Sequence, residues 1–388
     1  MLAAGFLILF IGGGARFAVG LTLKPLVEDF GWGRSELGVA VALYQVVSAA
    51  FTFLAGRIAD RTSPRLVLGA GMVVSGIGIG LMSLMSAPWH ALLLYGIVFG
   101  VGSGTASVAP VGVMVTRAFP GRAGLANGVV TGGMSLGQLV MIAALAAVLV
   151  HIGWRSVFVW LGLAYLVSLP VLFAAIPRER SAQAATAARP REGLTIGQAL
   201  RTRHFWMLAV IYGICGLDDF FVSTHIVALA QDRGIDAFLA GNLLAMMGLT
   251  GLIGVVAAGA WSDRSGPVWA TAITFGVRIA LFALVLIDQS PLSIAVFALA
   301  FGATFYVTAP LTVLFVRDGF GMRHLGAISG LITTVHQIFG GIGAYLGARI
   351  FDTAGDYDLA LALMLAVSAL ALVLTLALRR APMRQAPA

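Results

Sequence analysis

Apolar runs of about 20 residues, the length of helix that crosses the roughly 30 Å hydrocarbon core of a bilayer, recur from one end of this chain to the other with no soluble domain between them. They fall near residues 4–24, 36–57, 66–86, 91–116, 123–150 and 155–176, and then 204–230, 237–261, 268–287, 291–316, 325–350 and 358–379. A segment in hydrocarbon must satisfy its backbone N–H and C=O groups internally, which leaves helices or a closed β-barrel. The runs are continuous and do not alternate over ten residues as barrel strands do, so they predict an all-α membrane protein of twelve transmembrane helices. Composition agrees, with 60% hydrophobic and 10% charged residues against about a quarter charged in soluble domains. The first run lacks a charged leader and a small-residue cleavage site, so it reads as a span and not as a signal peptide.

The net charge of +8 would suit nucleic acid only if the basic residues formed one patch. Instead they alternate between loops. Arg57, Arg61, Arg65, Arg117, Arg122, Arg178, Arg180, Arg189, Arg191, Arg201, Arg203, Arg264, Arg317, Arg323, Arg379, Arg380 and Arg384 fall on one side of the twelve-span arrangement. Only Lys24, Arg34, Arg155, Arg233 and Arg349 fall on the other. The positive-inside rule therefore expects both termini in the cytoplasm of a multi-pass cell-membrane protein, with lipid and not nucleic acid as its surroundings. The single cysteine, Cys215, lies within a span and allows no internal disulfide.

One stretch breaks the apolar pattern, from Pro177 to Arg203, and reads as a cytoplasmic linker. It divides the chain into an N-terminal six-helix bundle (1–176), the linker (177–203) and a C-terminal six-helix bundle (204–388). The two sides repeat one another. Gly31, Gly38, Gly56, Asp60 and Arg61 recur 203 residues later as Gly234, Gly241, Gly259, Asp263 and Arg264. Pro110 and Arg117 recur 200 later as Pro310 and Arg317, and Gly124, Gly128 and Gly153 recur 202 later as Gly326, Gly330 and Gly355. Six spans per half is an even number, so the halves enter from the same side and are parallel repeats about an axis along the membrane normal.

The stretch Gly56-Arg57-Ile58-Ala59-Asp60-Arg61-Thr62-Ser63-Pro64-Arg65 between spans 2 and 3 resembles the cytoplasmic loop motif of the major facilitator superfamily, with Ser63 where a glycine is usual. A degenerate copy, Gly259 to Gly266, stands in the second half. The resemblance covers nearly the whole chain. It implies two pseudo-symmetric six-helix bundles that rock about a midplane site, with helices 1, 4, 7 and 10 lining the cavity. Gly56, Asp60, Arg61, Arg65, Asp263 and Arg264 are then expected to act as a gate latch, because a carboxylate at a helix end can accept hydrogen bonds from nearby arginines.

Two further stretches resemble the monocarboxylate porter and oxalate/formate antiporter branch: Lys24 to Glu36 after span 1, and Arg122 to Gly128 with Gly132, Gly133 and Gly137 entering span 5. The glycines also suit simple close packing of helices. Departures accompany the matches. Span 8 has no charged residue between Leu239 and Trp261, and Val255 stands about where that branch carries an arginine. In span 11 the position of its lysine corresponds to His336. Span 4 has Gly96 where proton-coupled drug antiporters have arginine.

Ionisable residues inside spans are costly and so are functional candidates. Arg16 is the one charge between Leu2 and Leu23, and its planar fork fits a carboxylate bidentately, which makes it the leading anion ligand. Asp218 and Asp219 lie deep in span 7, where burial and a like neighbour favour the protonated form that a proton carrier needs. His225, seven residues beyond Asp218, could extend a proton path. The offset of 203 maps Arg16 onto Asp219, so opposite charges occupy pseudo-equivalent positions that could pair directly or share an anion and a proton. Asn127, Thr131 and Gln138 form one face of span 5, repeated in span 11 by Ser329, Thr333 and His336, while Tyr44 and Gln45 give span 2 a polar face. Arg278, on a helix expected at the periphery, should snorkel or pair inside the second bundle.

These features predict a secondary transporter of a small organic anion, a monocarboxylate, moving with a proton by alternating access as a monomer. The substrate would be held by Arg16, Tyr44, Gln45, Asn127, Thr131 and His336, with coupling through Asp218, Asp219 and His225. A second transport reading is proton-coupled export of neutral or amphipathic metabolites or drugs, and a third, remote one is a non-transporting membrane sensor. No metal-ligand cluster, nucleotide loop or nucleophile motif suggests an enzyme, and no cofactor is expected.

Overall fold

The computed structural model describes residues 1–61, 63–118, 123–176, 193–321 and 323–380, and among these every element except one isolated bridge, Gly193 with Gly321, is helical. Among the described residues ten helices are long and apolar enough to cross a membrane. One of them, within Ala123–Ala175, reverses at Gly153 (φ 79°) and supplies spans 5 and 6. Span 10 is built from two shorter helices, Pro291–Phe305 and Thr308–Phe320, and completes the twelve. The others are span 1 (Leu2–Ala15 and Ala18–Phe30), span 2 (Arg34–Arg61), span 3 (Pro64–Leu81), span 7 (Arg203–Asp232), span 8 (Ala237–Ser265), span 9 (Pro267–Ile287), span 11 (Leu325–Ala354) and span 12 (Asp358–Arg380). Span 4 runs from Pro88 to Ala118 in pieces, including a widened π-helical stretch, Leu92–Phe99. Such stretches are rare and mark functional segments more often than chance.

Local chemistry sets the helix limits. Asp236 accepts from the amides of Phe238 and Leu239 to start span 8, and Ser290 accepts from Ser293 N–H ahead of Pro291 to start span 10. The repeat reappears in the turns: Gly31 and Gly234 have φ of 67° and 84°, and Gly153 and Gly355 have φ of 79° and 81°. These backbone positions are ones glycine occupies without strain, so two pairs of sequence-matched glycines do the same work in each half.

The halves meet along two seams, span 2 against span 11 and span 5 against span 8. Within the C-terminal half span 7 packs on span 11, closely enough that a Cβ on Gly216 would collide with the His336 carbonyl oxygen. Span 1 lies on span 5 in the N-terminal half and also touches span 7. The linker expected at 177–203 lies largely outside the described residues. Its described end holds the short helix Ile196–Leu200, with a capping box at Thr195 and Gln198.

Candidate functional site

Span 1 breaks between its two helices at Arg16 and Phe17, in the middle of the bundle. The break is sealed by Tyr95, whose hydroxyl donates to the Arg16 carbonyl at 2.9 Å. It presents the Arg16 guanidinium between two rings, 5.3 Å from the Phe17 centroid and 5.0 Å from that of Phe220 on span 7. Among the described residues Arg16 has no carboxylate partner, and its Nε is buried without an acceptor. A narrow cavity of ≈ 10 Å³, room for about one water, lies here, lined from span 2 by Tyr44 and Gln45, from span 4 by Tyr95 and from span 7 by Ser223 and Thr224. Gln45 is buried, and its Nε2 also lacks an acceptor. Tyr44 is fixed by a 3.0 Å hydrogen bond with Ser103 and by stacking on Phe99. Two unmatched donor groups facing one cavity between the halves make a site short of an acceptor.

A second polar cluster occupies the C-terminal half. Arg278 of span 9 is fully buried and donates to Asp219 Oδ1 at 2.6 Å and to Thr304 Oγ1 at 3.2 Å, and it lies 3.5 Å from Asp218 Oδ2. Asp219 Oδ2 faces His336 Nε2 at 3.2 Å and the Cys215 thiol at 3.5 Å. Asp218 accepts from Ser368 at 2.8 Å, while its Oδ1 has no donor. Two carboxyl groups thus share one guanidinium inside a bundle. Arg278 does not snorkel but pairs inside the second bundle. The pairing also answers the question left by the repeat register: Arg16 and Asp219 do not form an ion pair, because Arg278 and His336 already occupy both oxygens of the carboxylate.

A third network ties the halves together at the end of the bundle opposite the chain termini. Arg34 of span 2 donates to Asp232 of span 7 at 2.7 Å and to the Tyr357 hydroxyl at 2.6 Å, and its guanidinium lies 3.5 Å from the Phe351 ring centroid. Lys24 reaches Asp232 at 3.1 Å, and Asp352 of span 11 accepts from the amides of Arg34 and Ser35 at 2.8 Å each. His225 belongs to this network and not to the cluster around Asp219. Its Nδ1 shares a 3.0 Å hydrogen bond with Tyr357, and its Nε2 lies 2.8 Å from the Ala344 carbonyl.

The remaining predicted residues fall elsewhere. Thr131 is exposed on span 5, apart from the cavity, and the side chain of Asn127 lies outside the described residues. Gln138 is buried at the seam between the halves, donating to the Leu244 carbonyl at 2.9 Å and accepting from Tyr306 at 2.8 Å. Of the gate motif, Arg65 lies 5.1 Å from the Phe173 ring centroid. The side chains of Gly56, Asp60, Arg61, Asp263 and Arg264 lie outside the described residues. Sequence reasoning missed Phe220, Ser223, Thr224 and Tyr95. The repeat could have found the first, since Phe17 displaced by 203 is Phe220, so pseudo-equivalent rings flank the guanidinium.

The model of the Major Facilitator Superfamily matches residues 5–340 and 208–388. The chain belongs to the major facilitator superfamily. Among superfamily relatives it is 25% identical over 362 residues, 88% of this chain and 86% of the relative, to the uncharacterized transporter YcxA of Bacillus subtilis. It is 25% identical over 313 residues, 79% of this chain and 71% of the relative, to monocarboxylate transporter 13 of Bos taurus. Among solved structures, a bacterial homolog of the human lysosomal transporter Spinster, inward-facing and occupied, superimposes with a TM-score of 0.77 at 15% identity over 100% of this chain and 98% of that one. The nucleoside transporter NupG does so at 0.73 with 12% identity, over 97% and 98%. The fold is the superfamily's, all-α and multi-pass, in two six-helix bundles.

Proposed function

We propose that this major facilitator protein is a secondary active transporter of a small organic anion, a monocarboxylate, coupled to protons by alternating access, and that it works as a monomer in the cell membrane with both termini cytoplasmic. The observation that carries the reading is Arg16, a guanidinium with no carboxylate partner among the described residues, at a narrow cavity between the halves beside the unmatched amide of Gln45. A carboxylate would satisfy both. An anion in such a site replaces water around the guanidinium with a bidentate pair, which is a charge-assisted contact of the strong kind. The likeness to monocarboxylate transporter 13 supports the substrate class.

Proton coupling falls to Asp218 and Asp219, two carboxyls around one arginine, with His336 as the link between Asp219 and the less buried face of span 11. The network of Arg34, Asp232, Lys24 and Asp352 holds the outer end closed. The motif residues around Asp60 would form the opposing latch. The test is uptake into proteoliposomes of labelled lactate, pyruvate, oxalate and formate and of a cationic dye, with and without an imposed pH gradient. Accumulation of a carboxylate driven by the gradient is the expected result. Uptake of the dye alone would replace this reading with proton-coupled export of amphipathic compounds.

A further inference from the structure

Cys215 and Asp219 lie four residues apart on span 7, one above the other on the same helical face, and His336 of span 11 closes on them from the side. Their donor atoms, Sγ, Oδ2 and Nε2, lie within 4.8 Å of one another. Sulfur to oxygen is 3.5 Å and oxygen to nitrogen is 3.2 Å. Tetrahedral zinc, with bonds of about 2.3 Å to sulfur and about 2.0–2.1 Å to nitrogen and oxygen, requires ligand-to-ligand edges of about 3.3–3.6 Å. Two of the three edges therefore already stand near those of a zinc tetrahedron, and the third, sulfur to nitrogen, is within 4.8 Å and would have to close on binding.

We infer that Cys215, Asp219 and His336 form a binding site for a divalent cation of the zinc class. The surroundings are those of a metal site. Arg278 holds the other oxygen of Asp219 at 2.6 Å, which leaves Oδ2 facing Cys215 and His336 and supplies the outer-shell hydrogen bond that ligating carboxylates carry. His336 makes an edge contact with the Phe220 ring and, 20% exposed, is the least buried of the three, so a cation would approach from its side.

Charge decides whether a cation is tolerated beside Arg278, whose Nη1 is 3.5 Å from the sulfur. With Asp218 and Asp219 ionised, Arg278 charged, His336 neutral and Cys215 as a thiol, the cluster carries one net negative charge. Binding a dication forms the metal–sulfur bond and breaks the S–H bond, and the thiol proton passes to water. The cluster then becomes neutral. A coordinating thiol is deprotonated by the metal itself, so burial of Cys215 does not prevent the step.

The test uses Co²⁺ as a spectroscopic substitute for Zn²⁺ on the purified full-length chain with its affinity tag removed. Because Cys215 is the one cysteine in the chain, a sulfur-to-cobalt charge-transfer band in the near ultraviolet can arise only there. One Co²⁺ per chain, a band that Zn²⁺ bleaches, loss of the band in Cys215→Ser and Co²⁺ affinity weakened at least about tenfold in His336→Gln are expected. Both variants are checked for monodisperse elution. Absence of the band in the wild type, or a band that persists undiminished in His336→Gln, overturns the site. The readout involves no transport, so its failure is separate from any failure of the organic-anion reading.

Discussion

Arg278 and Asp219 form an ion pair at 2.6 Å with both side chains shut off from solvent, joining spans 9 and 7 inside one half. Removing one partner of a buried pair leaves the other charge uncompensated, at a cost of about 3–5 kcal/mol, whereas replacing both with apolar residues is often neutral. Arg278→Met should therefore lower the thermal unfolding temperature in detergent markedly, and Arg278→Met with Asp219→Leu should recover much of the loss. Equal temperatures for Arg278→Met and the wild type would show that the pair contributes nothing to stability.

Arg16 gives the opposite expectation for stability, because among the described residues no carboxylate depends on it. Arg16→Ala should unfold within a few degrees of the wild type but lose carboxylate binding at every pH, and Arg16→Lys should keep part of it as a point charge. Equilibrium binding of labelled substrate in detergent measures both. Carboxylate binding untouched in Arg16→Ala would end the organic-anion reading and leave the family and fold as they are.

Asp219→Asn imitates the protonated carboxyl and leaves Arg278 balanced by Asp218 alone. Substrate binding should survive and lose its pH dependence, while uphill uptake driven by a pH gradient disappears. Proton and substrate binding are reciprocal, with coupling of about 1–3 kcal/mol expected, so the wild type should bind substrate more tightly as pH falls. Flat binding between pH 5 and 8 in the wild type would remove the coupling role.

The network at the end opposite the chain termini, the outer end on the proposed reading, makes a kinetic prediction. Hydrogen bonds to charged groups contribute about 1.5–3 kcal/mol each, and Asp232 accepts from both Arg34 and Lys24. Asp232→Asn should favour the outward-open form. In a Cys215→Ala background, a cysteine at Ser223 should then be labelled from outside at least about tenfold faster by a membrane-impermeant maleimide, the factor that about 1.4 kcal/mol implies. Unchanged labelling would show that the network does not hold the gate.

Much of the fold was legible because membrane helices announce themselves by length, and because a constant offset of about 200 residues survives in turn glycines such as Gly31 and Gly234. The site was legible where scarcity did the work: Arg16, Asp218 and Asp219 stand out as charges inside spans. Which charge meets which was not. The partner of Asp219 depends on the rotation of span 9 against span 7, set by packing among many apolar side chains, and no periodicity reports it. Helical spacing put His225 on the face of Asp218, yet Tyr357 from the turn before span 12 captures the ring at the end opposite the chain termini. The convergence of Cys215 with His336 depends likewise on Gly216, whose missing side chain lets span 11 approach.

The solitary guanidinium at the break in span 1 has an electrical consequence. On the proposed reading, its positive charge in the empty carrier is balanced by the one net negative charge that Asp218 and Asp219 leave around Arg278. In the loaded carrier a carboxylate balances the guanidinium and a proton balances the cluster. A charge crossing the full membrane potential changes its energy by about 2.3 kcal/mol per 100 mV, but neither half of this cycle carries one, so the pH gradient and not the resting potential would set the accumulation.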